Sequence, residues 1–216
     1  MKTLLQNARC IVTCDDNDSI LRGADVLMQD GVIGAVGKLG NIEADEVVDA
    51  SRMILYPGLI NTHHHLYQYF TRNLRHVQNL ELFDWLTALY DIWAHLNEDT
   101  VRLSSLAGMG ELMKYGCTTC FDHHYVFPNG AGDLIAAQFE AAESLGIRMV
   151  SSRGSMSLSR KDGGLPPDSV VQTMDEILRD SRNAIERFHD ASDYSMRQVV
   201  LAPCSPFSVT ADLMRE

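Results

Sequence analysis

Basic residues are in deficit: 18 lysines and arginines stand against 29 aspartates and glutamates, for a formal charge of -11. No basic stripe interleaved with aromatics runs along the chain, and this charge repels polyphosphate, so nucleic acid is not an expected partner. Long apolar runs are missing as well. No stretch approaches the roughly 18 consecutive apolar residues of a membrane span, and the opening M-K-T-L-L is broken by Gln6, Asn7 and Arg9 before it reaches signal-peptide length. The Asn17-Asp18-Ser19 sequon therefore has no secretory route to give it meaning. The five cysteines are odd in number and scattered, which excludes an obvious disulfide framework and points to a reducing, cytoplasmic setting. Cys117 and Cys120 form C-T-T-C without a second cysteine pair or a thioredoxin-like context, so they are not read as a redox or zinc centre.

What is present is an ordinary globular composition, 216 residues with 45% hydrophobic content, enough to bury a sizeable core. Up to Ile54 the apolar runs are short: Ala8 to Val12, Ala24 to Met28, Val32 to Val36, Val47 to Val48 and Met53 to Leu55, cut by Asp-Asp, Asp-Gly and Gly-rich turns. This predicts a small β-sandwich portion over residues 1–56, with a hairpin at Asp30-Gly31. From residue 57 the period changes. Ile54 to Ile60 runs into Asn61-Thr62-His63-His64-His65 as a buried strand runs into a site loop, and residues 81–96 carry Leu82, Trp85, Leu86, Leu89 and Trp93 at helical spacing. Asn97 caps a second helix that Gly116 closes. Further strands follow at Cys117 to Phe121, Ile147 to Ser152 and Gln198 to Ala202. Helices are expected at Leu134 to Leu145, at about Ser169 to Phe188 behind an Asp168 cap, and after Thr210. The alternation predicts an α/β chain, the first four βα units of a (β/α)₈ barrel over residues 57–216. A whole barrel takes about 250 residues, so the wall is half built, its parallel edges are open, and poor solubility is expected of these residues alone.

The chemistry concentrates at strand ends. In a strand, residues two apart share a face, so His63 and His65 aim at one point while His64 faces away. Imidazole nitrogens suit Zn²⁺ or Fe²⁺, and an ion with an open coordination position activates a water for hydrolysis. His123 and His124 follow the second strand beside Asp122 and either line the same mouth or serve as plain structural hydrogen-bonding groups. Arg153 closes the third strand, where it meets a substrate carbonyl or an ion-pair partner. Cys204, inside P-C-S-P at the end of the fourth, is a pocket residue or a small buried hydrophobe.

The string V-D-A-S-R-M-I-L-Y-P-G-L-I-N-T-H-H-H-L-Y-Q resembles the signature of the amidohydrolase superfamily. Within it, L-x-L-F-D-W-L and G-C-T-T-C-F-D-H-H-Y resemble the branch of triazine hydrolases and guanine deaminases. The stretches R-G-S-M-S-L-S-R-K-D-G-G-L-P-P-D-S-V (153–170) and L-A-P-C-S-P-F-S-V-T (201–210) look like 8-oxoguanine deaminases. The resemblance covers essentially the whole chain. It implies that His63 and His65 are metal ligands and that Gln68 hydrogen-bonds a bound heterocycle, its amide donating and accepting at once. His123, Arg153 and Cys204 would complete the substrate wall. The fourth strand, Q-V-V-L-A-P-C-S-P, has no lysine to bridge two metals, which favours a single divalent ion, zinc ahead of iron. The family's third histidine ligand, its Glu acid/base and its catalytic Asp are expected beyond Glu216, so these residues alone are expected to be inactive. The implied reaction is hydrolytic deamination of 8-oxoguanine to uric acid and ammonia. The alternatives are a hydroxyatrazine-type aminohydrolase or chlorohydrolase, and an inactive amidohydrolase-like binding or scaffold protein. A small heterocycle is the expected partner, and the oligomeric state stays open.

Overall fold

Polar and glycine-rich breaks cut the first 58 residues into seven strands: β1 (Lys2–Ala8), β2 (Cys10–Val12), β3 (Ile20–Leu21), β4 (Ala24–Gln29), β5 (Val32–Gly37), β6 (Glu46–Asp49) and β7 (Ile54–Leu55). The computed structural model describes residues 1–216, and these strands lie in a unit of their own, Met1–Gly58. β4 and β5 form the expected hairpin, with Asp30 and Gly31 at φ 52° and 83°, the paired left-handed conformation of a two-residue type I′ turn. One sheet has the order β5-β4-β1-β6 and a second the order β3-β2-β7. The run Ala8 to Val12 is not one strand. The chain bulges after Leu5, where Asn7 takes φ 58° and the buried Asp25 carboxylate accepts its N–H at 2.7 Å, so β1 ends at Ala8 and β2 starts afresh at Cys10.

The second unit, Leu59–Glu216, alternates strand and helix. Its strands are β8 (Leu59–His64), β9 (Cys117–Asp122), β10 (Arg148–Ser155) and β11 (Arg197–Pro203), all parallel and adjacent in chain order. Between them lie a 3-10 turn (Leu66–Thr71), α1 (Leu82–Trp93), α2 (Glu98–Lys114), α3 (Leu134–Leu145) and α4 (Met174–Phe188), with α5 (Ala211–Arg215) last. Each boundary has a local cause. Asn97 and Thr100 close a reciprocal capping box on α2, and Asp133 accepts the Ala136 N–H to start α3. Gly146, at φ 74°, ends α3 with the left-handed turn that costs a residue without Cβ nothing. One expected cap is corrected. Asp168 opens only a 3-10 turn, Asp168–Val170, and Thr173 caps α4 in a box with Glu176, because that pair satisfies two orphan donors at once. No helix is long and apolar enough to cross a membrane.

Two large clusters fill this unit, beside a small third of Ile177, Val209 and Leu213. Leu66, Met109, Cys120, Phe139, Ile147, Met149 and Val199 pack between sheet and helices, and Tyr67, Tyr90, Trp93, Val126, Leu134 and Met156 form an aromatic-rich second group. Sequential strand order puts every strand's C-terminal end on one edge of the sheet, and the candidate residues of the sequence gather there. The outer strands keep apolar side chains in the open, with Leu59 58%, Ile60 66% and Leu201 52% exposed.

Gly154, on β10, shows how tightly that edge is built. Its N–H donates to the His124 carbonyl at 2.8 Å, and a Cβ placed on it would stand 2.5 Å from that oxygen and 2.6 Å from the Tyr125 Cα. Backbone cannot move aside as a side-chain tip can. Gly154→Ala is therefore expected to destabilise by about 3 kcal/mol, the upper end for overpacking, measured by urea unfolding. A loss under about 0.5 kcal/mol, the scale of an ordinary surface change, would show that the 124–125 segment yields freely.

Candidate metal centre

The histidine triplet is shaped by an irregularity in β8. Asn61 pairs with Cys120 and His64 with Asp122, so the intervening step carries one more residue on β8 than on β9. Such a bulge leaves an amide without a ladder partner, and the His63 N–H is taken by the Asn61 Oδ1 at 3.2 Å. The rings of His63 and His65 then converge, their Nε2 atoms 3.2 Å apart. His64 turns the other way, its Cε1 towards Gly108 of α2.

The pair has a defined hydrogen-bonding sense. His65 Nδ1 lies 2.8 Å from the His123 carbonyl. A carbonyl only accepts, so Nδ1 carries the proton and Nε2 presents its lone pair towards His63. Burial holds the His65 pKa below its ordinary value, against the raising effect of the His123 carbonyl. His123 supports the pair with its ring as well, stacked on His63 at 4.6 Å between centroids and 30° between planes. A cavity of 290 Å³ opens here, lined by His63, His64, His65, Gln68, Tyr69 and Arg72. A larger groove of 780 Å³, lined among others by Asn129, Lys161, Asp168 and Glu176, holds none of these histidines. No group of three or more His, Cys, Asp or Glu side chains is poised around one ion, so the site as it stands offers two ligands.

Two histidines converging at the C-terminal edge of a parallel sheet can be compared with known proteins. Residues 54–216 match the amidohydrolase family. The chain belongs to it. It is 43% identical over 99% of its length to an 8-oxoguanine deaminase of Pseudomonas aeruginosa, of which it covers 48%. It is 37% identical over 94% of its length to a hydroxydechloroatrazine ethylaminohydrolase of Pseudomonas sp. strain ADP, of which it covers 45%. Among solved structures it superposes on an atrazine chlorohydrolase of Arthrobacter aurescens complexed with zinc, at TM-score 0.92, 31% identity, 98% of this chain and 48% of that one. The chain thus spans about half the length of the curated relatives it matches.

The other expected residues of this amidohydrolase chain fall into two groups. Gln68 and Cys204 sit on one polar seam. Gln68 Nε2 donates to the Tyr67 hydroxyl at 3.1 Å, the phenols of Tyr67 and Tyr90 face that of Tyr125, and Cys204 lies close enough to Tyr90 and Tyr125 to raise the pKa of both. Burial pushes the Tyr125 phenol up to about 12, and its ring stands edge-on to His65 at 5.5 Å. The sequence reading passed over these three tyrosines. Tyr67 and Tyr125 were within reach of it, each adjacent to a motif residue, whereas Tyr90 looks like any apolar position of α1. Arg153 is in the second group. Only 3% exposed, its guanidinium donates to Gly154 O and to Gln172 Oε1 at 2.6 Å, lies 3.5 Å from Asp180, and covers the Phe127 ring at 4.0 Å. Of its two readings from sequence, these contacts supply the ion-pair partner. Burial brings its pKa down to about 10, against the pull of Asp180.

His124 is wholly buried, against Tyr67 and Phe127, and neither ring nitrogen makes a well-formed hydrogen bond, only a weak contact with the Val126 backbone. Burial, helped by Arg153 and His65 and opposed by the Val126 backbone, pushes its pKa down to about 3. The unfolded chain therefore binds a proton near pH 6.5 that the folded chain refuses, so stability from His124 is full above 6.5 and is lost as the pH falls towards 3. Asp122 works in the opposite sense, since burial lifts its carboxyl to about 7 despite donors from Leu66 and Gln138. His124→Phe isolates the first effect: between pH 6.5 and 4 its melting temperature is expected to fall less steeply than the wild type's. Parallel curves would mean that His124 titrates normally in the fold.

Proposed function

We propose that the intact protein is a metal-dependent hydrolytic deaminase of an N-heterocycle, with 8-oxoguanine as substrate and uric acid and ammonia as products. The observation that carries this reading is the His63–His65 pair. Nitrogens 3.2 Å apart suit two ligands on one ion at roughly 2.0–2.1 Å in near-tetrahedral geometry, and the Nδ1 contact of His65 to a carbonyl is the outer-shell support such ligands usually have. Zinc is the proposed ion, in keeping with the zinc-bound relative. When bound, it supplies Lewis acidity to the hydrolysis.

The chain's own residues then have distinct tasks. His63 and His65 hold the ion, and His123 braces both, one with its ring and the other with its carbonyl. Gln68, fixed through Tyr67, offers an amide to the mixed donor and acceptor edge of the heterocycle, while Tyr125 and Cys204 form the adjoining wall. The balanced reaction adds water to the amidine-like ring carbon, passes through a tetrahedral carbon, and expels ammonia once the amine is protonated. The proton donor and the remaining ligands we place in the portion of the relatives that this chain does not span. We also place the rest of the barrel there: sequential parallel strands with apolar residues bare on β8 and β11 support a wall that continues on both sides. The resemblance to a hydroxydechloroatrazine ethylaminohydrolase supports a second reading, an aminohydrolase of hydroxytriazines using the same ligands.

The test is ammonia release by the full-length protein from 8-oxoguanine, guanine and hydroxytriazines, with metal content measured on the same sample. Turnover of 8-oxoguanine with about one ion per chain, as a mononuclear site requires, is expected, and His63→Ala should remove the metal and at least about 10³-fold of the rate, the scale of losing an essential catalytic group. Turnover of triazines alone would select the second reading. Bound metal lost in His63→Ala but no turnover of any of the three would overturn the substrate assignment and keep the centre.

A further inference from the structure

Asp122 is wholly buried, and the metal-binding and substrate-binding roles given above make no use of its carboxylate. Both oxygens are nevertheless committed. Oδ1 accepts the Leu66 N–H at 2.5 Å and Oδ2 accepts Gln138 Nε2–H at 2.5 Å. Gln138 is fixed in turn, its Oε1 receiving the Ser151 hydroxyl at 2.6 Å, and neither Gln138 nor Ser151 is exposed. The chain of contacts therefore crosses from α3 and β10 to the residue that directly follows His65. Leu66 opens a 3-10 turn, where the first N–H groups find no partner inside the helix. The same corner of β9 reaches His65 a second time, because the next residue, His123, supplies the carbonyl that holds Nδ1, and the His123 N–H closes back on the His64 carbonyl at 2.7 Å.

We propose that Asp122 is the positioning residue of the histidine pair: its carboxylate, aimed by Gln138 and Ser151, fixes the backbone at Leu66 so that the His65 ring meets the His123 carbonyl and turns Nε2 towards His63. The proposal rests on reading His63 and His65 as metal ligands. A buried carboxylate is costly unless every oxygen is hydrogen-bonded, and here one of its two donors is the amide next to His65. A carboxylate that served packing alone would show no preference for that amide, and an apolar side chain could stand in its place.

The unaltered full-length protein, stripped of metal, gives the first readout without substitution. Its His65 ring is expected as the Nδ1–H tautomer by ¹⁵N chemical shifts, and the Leu66 amide should exchange slowly with solvent although it begins a helical turn. Fast exchange at Leu66, or a proton on His65 Nε2, overturns the proposal whatever the variants do. In Asp122→Leu, Zn²⁺ affinity measured by chelator competition should drop about 10- to 100-fold, the range for loss of an outer-shell partner, and the His65 ring should lose its single tautomer. Asp122→Asn keeps an oxygen for Leu66 once Gln138 turns its amide end for end, and should return most of the affinity. A folded Asp122→Leu chain with unchanged tautomer and unchanged affinity would leave Asp122 as packing only. If Asp122→Leu does not fold, the wild-type tautomer and exchange decide. A wild-type chain with both signatures that takes up no zinc would count against the metal reading while supporting the positioning geometry.

Discussion

The hydrogen bond between His65 Nδ1 and the His123 carbonyl, 2.8 Å long, settles which nitrogen of His65 faces the cavity. An imidazole free in water chooses its own tautomer, but one whose Nδ1 rests on a carbonyl does not. That acceptor directly follows β9, so the state of a histidine carried just after β8 depends on the register between the two strands. His64 is the residue paired with Asp122 at β9's end, and a slip of one residue would break that pairing and reverse the faces of the triplet. The bulge between Asn61 and His64, the Asn61 side chain that receives the freed His63 amide, and the Asp122 carboxylate on Leu66 all act on that register. Several weak local choices thereby agree on a single arrangement of two rings.

Much of this was legible in the sequence because its signals are local. Asp30-Gly31, Asn97, Gly146 and Thr210 each decide a turn or a cap within a few residues, and each does so in the structure. The period-two argument for His63 and His65 gave the right convergence even though the strand there is bulged, since Asn61 compensates for the extra residue. Where the reading went wrong, two local signals competed. Asp168 and Thr173 are both good caps, and only the presence of Glu176 three residues after Thr173 settles the matter. What stayed hidden is long-range. Gln138 looks like one more polar residue on α3, and nothing near it in the chain announces that it faces Asp122 and Ser151. Arg153 has the same difficulty, because Gln172 and Asp180 are distant in sequence and meet it only after α4 packs.

The polar groups inside the second unit divide according to whether they are satisfied. Asp122, Gln138, Ser151 and Arg153 are buried and fully partnered, which is the condition under which buried polarity is tolerated. The Ser105 hydroxyl, His64 Nδ1 and both ring nitrogens of His124 are the exceptions, and His124 sits neutral among aromatic rings. Its carbonyl, by contrast, is used twice, by the Gly154 N–H at 2.8 Å and the Ser152 hydroxyl at 3.2 Å. The main chain at 122–124 thus ties β9 to both of its neighbours, to β8 through His123 and to β10 through His124.

On the metal reading proposed above, that fixed frame limits what must change when an ion arrives. With His65 committed at Nδ1, the 3.2 Å contact between the Nε2 atoms is a hydrogen bond only with its proton supplied by His63. Ligation requires both Nε2 lone pairs, so one proton must leave the gap. His65 needs no adjustment. His63 is the exposed member of the pair, where water reaches its ring. On the proposed reading the half-buried His65 is therefore preorganised and the exposed His63 is the one that adapts.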